Sequence, residues 1–185
     1  MPARIAVVDS NVLFSIELTD LFMTFSIRRL IQLRWSTTIL NEARRNLLQH
    51  GRLSAVAVER RLAAMNSALA DAMAGFPEES SRTLRVAASD RHVLALAIAV
   101  HADSIITLNT RDFSHDYCRS LGVAVKTPDD ALTEILDDDR LGVTWALREI
   151  ADRRRQPAVT VNDLLNRWDA QLPRFVELAS RTIRE

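Results

Sequence analysis

Short runs of β-branched and other apolar residues alternate with longer helical patterns along this chain. Strands are predicted at Arg4–Val8, at Ser104–Leu108 and at Gly122–Lys126, and Leu33–Trp35 is a candidate for a further short strand. Continuous apolar runs of this length are typical of parallel strands that are covered on both faces. The helical patterns between them supply the long crossover connections that parallel strands need. The alternation therefore predicts an α/β fold with a central, mostly parallel sheet flanked by helices.

Four helices are predicted in the first two thirds of the chain from apolar periodicity and from residues that begin or end helices. They run from Ile16 to about Leu33, from a cap at Thr37 or Thr38 to about His50, from Ser54 to near Gly75, and from Ser89 for about a dozen residues. The last of these is apolar all round, so we expect it to be buried.

The strand signal ends near Leu136, and the remaining residues carry mostly helical patterns. We therefore predict a main domain over residues 1–137 and an all-helical appendage over residues 138–185. Ala158–Val161 is the one place in the appendage where a strand is a possible alternative.

The totals exclude several classes of protein. With 48% hydrophobic residues the chain of 185 residues has enough apolar side chains for a core, which argues against disorder. The formal net charge is zero, so a globally basic nucleic-acid binder is not indicated, and phosphate contacts must come from local patches. The single cysteine, Cys118, excludes a disulfide framework and fits a reducing cytosol.

Targeting and nucleotide-binding signals are also missing from the sequence. It has no signal-peptide pattern and no apolar stretch long enough for a membrane helix, so we expect a cytoplasmic protein without membrane contact. Its four glycines lie at the ends of segments, and neither GxGxxG nor GxxxxGK[ST] occurs. This argues against a dinucleotide site and against a P-loop.

Acidic side chains follow two of the predicted strands. Asp9 ends the first strand, and Asn109 and Asp112 follow SIITL. The carboxyl ends of parallel strands meet at one edge of a sheet, where ligands bind, so these side chains are expected to lie close together. Asp90, which opens the apolar helix, and Glu42, which lies beside an apolar stripe, are further candidates.

Each carboxylate also has a structural explanation. Asp90 could stabilise a helix dipole, Glu42 could be a solvated flank residue, Asp112 could belong to a turn, and backbone donors could hold Asp9. Taken together, three or four acids with almost no lysine nearby would repel one another. A hard divalent cation, Mg²⁺ or Mn²⁺, is the natural counter-charge, and such a site can hydrolyse a phosphodiester with activated water.

Four segments in this order make the chain resemble the PIN-domain superfamily, and within it the VapC-type toxins of bacterial toxin–antitoxin pairs. The segments are VVDSNVLFS at 7–15, TTILNEARRNL at 37–47, SDRHVLALAIAVHAD at 89–103 and IITLNTRDF at 105–113. The resemblance covers about residues 3 to 130. It implies a PIN-like three-layer fold, to which the helical appendage is an addition.

The resemblance also implies roles for individual residues. The family's acidic quartet, which is both catalytic and metal-binding, falls on Asp9, Glu42, Asp90 and Asp112. The supporting positions, assigned to cofactor binding, fall on Asn11, Thr107 and Asn109.

A Mg²⁺- or Mn²⁺-dependent endoribonuclease is then expected, acting on RNA as a homodimer and inhibited by a cognate antitoxin that wraps the helices near Leu18 to Leu48. A housekeeping PIN nuclease that processes RNA without an antitoxin, and a catalytically silent PIN-like binding module, remain alternatives.

Several other side chains have competing interpretations. Arg153–Arg155 is a candidate RNA contact or a solvated helix end, and His92 is expected to be a surface or structural residue. His115 is not expected to reach the site. Cys118 is expected in the core. Core packing is also favoured over base stacking for the three tryptophans, Trp35, Trp145 and Trp168.

Overall fold

The computed structural model describes residues 3–51, 53–154 and 157–184. Its centre is a four-stranded parallel sheet in the order β2-β1-β3-β4. The strands are β1 (Ile5–Val8), β2 (Gln32–Arg34), β3 (Ser104–Ile106) and β4 (Ala124–Lys126). The predicted parallel α/β sheet is therefore confirmed, including the short strand that follows the second helix.

The register places the first and third strands side by side. Val8 of β1 is opposite Ile106 of β3, and Val7 is opposite both Ile105 and Arg34 of β2. The apolar side chains of β1 from Ala6 to Val8 are fully buried. The residues that follow β1 and β3 consequently emerge next to each other at the same edge of the sheet.

Helices cover the sheet and continue to the C-terminus. They are α1 (Ser10–Phe14), α2 (Ile16–Ile27), α3 (Thr37–His50), α4 (Ala55–Ala68), α5 (Glu78–Ser81), α6 (Arg91–Ala99), α7 (His115–Ser120), α8 (Pro128–Asp138), α9 (Arg140–Arg153), α10 (Val161–Trp168) and α11 (Pro173–Arg184). With the helices on both sides of the sheet, the expected three-layer arrangement is confirmed.

Several predicted boundaries were wrong. The second helix ends at Ile27 rather than near Leu33, because the chain turns at Arg29, whose φ of 61° is left-handed. The helix that follows is capped by Ser36, whose hydroxyl accepts a hydrogen bond from the N–H of Ile39, and not by Thr37 or Thr38. Ser54 does cap α4 as predicted, but this helix ends at Ala68, well before Gly75.

The helix predicted after Ser89 is shorter than expected. It spans nine residues, and the side chain of its cap residue, Asp90, makes no capping hydrogen bond. It is buried from Val93 to Ala97, as its apolar sequence predicts, but its last turn at Ile98 is partly exposed.

The C-terminal helices pack onto the rest of the chain. The ring of Phe175 in α11 meets the edge of Phe25 in α2, with the ring centroids 6.3 Å apart, and both are fully buried. The carboxylate of Asp129 in α8 accepts hydrogen bonds from the N–H groups of Arg174 and Phe175 at the start of α11. One apolar core thus includes residues on both sides of the predicted boundary at 137/138, and that boundary stays a prediction.

None of the helices in the described ranges combines the length and the apolar character that crossing a membrane requires.

Candidate active site

The carboxylate of Asp9, at the end of β1, is held by hydrogen bonds from neutral donors. Its side chain is 5% exposed, and its backbone N–H donates to the carbonyl of Ile106. Oδ1 accepts from the N–H of Ser10 at 2.6 Å, and Oδ2 accepts from Nδ2 of Asn11 and from the hydroxyl of Thr107, both at 2.7 Å. These donors keep the buried carboxylate in one orientation, with no lysine or arginine paired to it in the described part of the chain.

The supporting polar residues form a network across the edge of the sheet. Nδ2 of Asn11 also donates to the Thr107 hydroxyl at 3.0 Å, and Oδ1 of Asn11 accepts the N–H of Leu108 at 3.0 Å. The N–H of Asn109 donates to the Thr107 hydroxyl, again at 3.0 Å. Asn11, Thr107 and Asn109 are therefore engaged in joining the loop after β1 to the loop after β3.

Asp90 faces the same edge from the start of α6. Burial raises the pKa of its carboxyl group, and the hydrogen bond from the Ser89 hydroxyl lowers it. The negative charges of Asp9 and Asp112 raise this pKa further, so that the net shift is upward. The structure therefore brings these three aspartates into one electrostatic neighbourhood, although they come from three separate segments.

Asp112 stands at the outer side of this neighbourhood. It ends a single 3-10 turn, Thr110–Asp112, and is exposed to solvent. Nδ2 of Asn109 donates a hydrogen bond to its Oδ2. Asp112 is consequently oriented by Asn109, just as Asp9 is oriented by Asn11 and Thr107.

Glu42 lies opposite, on α3, in contact with His92 of α6. Nε2 of His92 is 3.3 Å from Oε2 of Glu42, and this buried nitrogen has no hydrogen-bond partner among the described residues. Burial raises the pKa of Glu42. The contact with His92 and the charge of His92 lower it, as do the hydroxyl of Ser10 and the charge of Arg45, and the net shift is downward. Glu42 and His92 are therefore an electrostatic pair, in which each favours the charged form of the other.

His92 was expected to be a surface or structural residue, and the structure excludes only the surface alternative. Its side chain is 13% exposed and lies at the site. Burial lowers its pKa, but Glu42 and the charges of Asp9 and Asp90 outweigh this effect and raise it. The position two residues after Asp90 gave no signal, because the sequence does not reveal which face of α6 meets α3.

A cavity of about 330 Å³ joins most of these groups. It is lined by Asp9, Ser10, Asn11, Glu42, Arg45, Asn46, Gln49, Ser89 and Asp90. Of the four predicted acids, Asp112 lies outside this lining. A larger cavity of about 630 Å³ at the edge of β2, between Arg34 and Ala72, contains none of the four.

The donor set fits a hard divalent cation. In the described residues, Asp9, Asp90 and Asp112 form no ion pair with lysine or arginine, and the pKa of Asp90 is raised first by burial and then by the negative charges of Asp9 and Asp112. Oxygen ligands of this kind are those that Mg²⁺ and Mn²⁺ prefer. Within the described ranges, however, no three His, Cys, Asp or Glu side chains already surround a common point as ligands of one ion would. The acids lie near one another, but in these ranges they do not form a ready-made set of ligands.

The other candidate side chains lie away from this site. Arg153 and Arg154 are bound to acidic side chains of α2, chiefly Asp20, and Arg155 lies outside the described residues. His115 lines a different cavity together with Arg174.

The three tryptophans differ from one another. Trp35 and Trp168 are buried as predicted, with 0% and 1% exposure, whereas Trp145 is 57% exposed, so its predicted core position was wrong. Trp145 belongs to the outer face of α9.

The comparisons with known proteins identify the family of this chain. The family profile described as "PIN domain" matches residues 5–111, and the profile described as "VapC50 C-terminal domain" matches residues 128–181. The protein described as "Putative ribonuclease VapC50" from Mycobacterium tuberculosis (strain ATCC 25618 / H37Rv) is 32% identical over 92 residues.

That alignment covers 50% of this chain and 54% of the relative, so the chain spans about half the length of the curated protein it matches. The comparison with solved structures gave no significant match.

The PIN profile covers more than half of the chain, including Asp9, Glu42 and Asp90, and it ends at Arg111, next to Asp112. The C-terminal profile begins at Pro128, the first residue of α8. This chain therefore belongs to the PIN domain family and is a VapC-type member with a C-terminal extension.

Proposed function

We propose that this protein is a Mg²⁺- or Mn²⁺-dependent endoribonuclease and the toxin of a toxin–antitoxin pair. The observation that supports this most is the convergence of Asp9, Asp90 and Asp112 at one edge of the sheet, with Glu42 on the facing helix. Acids without matching cations are costly unless a cation or a substrate-bound ion compensates them. A purely structural role does not explain why three aspartates lie close enough to one another for their charges to interact.

In this proposal Asp9, Glu42, Asp90 and Asp112 hold the cation, and Asn11, Thr107 and Asn109 hold the carboxylates. The bound cation would supply an activated water and neutralise charge on the attacked phosphate. The side chains of the protein itself fix the orientation of these carboxylates. Asp9 is locked by its donors on both oxygens, so its orientation is set before any ligand arrives.

The relative's printed description as a ribonuclease favours RNA as the substrate. Together with the family resemblance, it also leads us to propose a cognate antitoxin, a homodimer and a cytoplasmic location. The antitoxin would contact the region from α2 to α3, between Leu18 and Leu48. Co-expression with the product of a neighbouring short reading frame tests this part, and unchanged toxicity would favour a housekeeping nuclease.

The central experiment measures cleavage of a mixed-sequence single-stranded RNA by the full chain and by its Asp9→Asn variant. We expect cleavage by the wild type in Mn²⁺ or Mg²⁺, none in EDTA, and none by the variant in either metal. Circular dichroism of the variant must match the wild type, since Asp9 also joins two strands.

A calorimetric titration with Mn²⁺ separates this proposal from a silent binding module. The wild type should bind Mn²⁺, and Asp9→Asn should bind it much more weakly. A wild type that is folded, does not bind Mn²⁺ and does not cut RNA would overturn the proposal.

A further inference from the structure

One face of α3 extends the candidate active site away from the carboxylates. Glu42, Arg45, Asn46 and Gln49 all line the same cavity, and their spacing of three, four and seven positions places them on one side of the helix. At about 1.5 Å per residue this row runs for roughly 10 Å from Glu42 to Gln49. It forms a polar wall that leads outward from the proposed cleavage site.

The three outer side chains of this row form few contacts within the fold. They are Arg45, Asn46 and Gln49. Arg45 is 69% exposed, and its contact with Glu42 at 4.0 Å is too long for a hydrogen bond. Neither Asn46 nor Gln49 makes a side-chain hydrogen bond with the residues that the structure describes, although both line the cavity. A role in holding α3 in place therefore does not account for them.

Arg44, the residue next to Arg45, differs from it in its surroundings. Arg44 points away from the cavity and forms an ion pair with Glu59 of α4, with Nε 2.5 Å from Oε1. Two neighbouring arginines on one helix thus have separate surroundings, of which only that of Arg45 belongs to the cavity.

The chemistry of the row matches a nucleic-acid strand. Among the described residues that line this cavity, Arg45 is the only lysine or arginine, and its guanidinium suits bidentate contact with a phosphate. Because the net charge of the chain is zero, a local cation of this kind is needed for phosphate contact beside the carboxylates. The amides of Asn46 and Gln49 each carry donors and an acceptor, and such groups can form hydrogen bonds with the exposed edges of bases.

We propose that this face of α3 binds the single-stranded RNA that flanks the cut bond, with Arg45 on a backbone phosphate and with Asn46 and Gln49 on base edges. The inference rests on the proposed ribonuclease function and adds to it the residues that select the substrate.

The test for Arg45 is binding without cleavage. The full chain in EDTA is titrated into a fluorescently labelled single-stranded RNA of mixed sequence, and anisotropy gives the affinity at several salt concentrations. Arg45→Gln should weaken binding about tenfold and reduce the slope of log affinity against log salt by about one. Arg44→Gln, the matched control, should leave both quantities unchanged.

The test for the amides is sequence preference. The ends of RNA fragments produced in Mn²⁺ are sequenced for the wild type and for Asn46→Ala and Gln49→Ala. Each variant should relax the base preference at a position next to the cut, while the affinity for mixed-sequence RNA in EDTA changes less than in Arg45→Gln. Base preferences identical to those of the wild type in both variants would overturn the assignment of these two amides.

The outcomes separate this inference from the proposed function. Equal effects of Arg45→Gln and Arg44→Gln, in a protein that still cuts RNA with Mn²⁺, overturn the α3 inference alone. Loss of RNA binding in Arg45→Gln, in a protein whose wild type never cuts, supports an RNA contact on α3 and overturns the nuclease. A folded wild type that neither binds RNA in EDTA nor cuts it with Mn²⁺ overturns both.

Discussion

The hydroxyl of Thr107 donates a 2.7 Å hydrogen bond to Oδ2 of Asp9, across 98 positions of the chain. Thr107 is fully buried, and the same hydroxyl accepts hydrogen bonds from Asn11 and from the N–H of Asn109. One oxygen atom therefore joins the loops that follow two neighbouring strands and fixes the most buried carboxylate of the site.

Replacing Thr107 with valine keeps the shape of the side chain and removes the donor. We expect the free energy of unfolding to fall by about 2 kcal/mol, because a buried carboxylate loses a charge-assisted hydrogen bond. Metal-dependent cleavage should fall about tenfold, since Asp9 loses part of its orientation. Urea unfolding and the RNA cleavage assay measure the two effects. Thr144→Val is the control and should change neither, since this half-buried hydroxyl donates only to the carbonyl of Arg140 within α9.

Asp90→Asn should abolish cleavage without weakening the fold. The folded pKa of Asp90 is raised, so the ionised form is less favourable in the folded protein than in the unfolded chain. Its contribution to stability improves as the pH falls through that pKa, and at neutral pH it is unfavourable. A neutral amide removes this cost.

Thermal unfolding in EDTA at pH 7 should give an equal or higher midpoint for Asp90→Asn than for the wild type. Asp116→Asn, at a fully exposed position, provides the comparison for a simple change of net charge. A clearly lower midpoint for Asp90→Asn alone would contradict the electrostatic account of the site.

Trp145 and Trp168 should respond very differently to truncation. Trp168→Ala removes a fully buried side chain and should cost about 3–5 kcal/mol. Trp145→Ala should cost at most about 1 kcal/mol, since it loses only an exposed ring and its contact with Arg148. Urea unfolding monitored by circular dichroism measures both.

Trp168→Phe offers a milder change at the buried position. The indole N–H of Trp168 has no hydrogen-bond partner in the described part of the chain. The phenylalanine variant should therefore be clearly more stable than Trp168→Ala, and equal losses would argue that the ring volume matters little.

The C-terminal helices should depend on Asp129. Its carboxylate accepts the N–H groups of Arg174 and Phe175, which are free donors at the start of α11. Asp129→Ala should lower the free energy of unfolding by about 1–2 kcal/mol and make the end of the chain easier to cut in limited proteolysis. Asp137→Ala, an exposed position on the same helix, should behave like the wild type.

Cys118 should be unreactive in the folded protein. Its side chain is fully buried, and burial raises the pKa of the thiol, so less thiolate is present at pH 8 than for a free cysteine. Alkylation by iodoacetamide, followed by mass spectrometry, should be slow in buffer and fast in urea. Rapid labelling under native conditions would place the thiol nearer to solvent than the structure has it.

Local patterns predicted much of this fold. The continuous apolar run before Asp9, the cap at Ser54 and the stop at Gly51 each depend on nearby residues, and the structure has all three. The end of α2 could not be predicted in this way, because an arginine, Arg29, adopts the left-handed conformation that usually signals glycine.

The site was predictable to the extent that topology determines it. Asp9 and Asp112 follow adjacent parallel strands, so their approach follows from the order of the strands. The place of His92 and the wall formed by Arg45, Asn46 and Gln49 depend on how α3 faces α6, which is a matter of tertiary packing. Periodicity defines a face of a helix but does not identify what that face meets.

The contact between Phe175 and Phe25 has a practical consequence for anyone who wishes to shorten this protein. A gene fragment ending near the inferred domain limit would leave the ring of Phe25 and the apolar side of α8 uncovered in water. Such a fragment is expected to precipitate during expression, and the final helices thus cover apolar surface of the PIN domain as well as being attached to it.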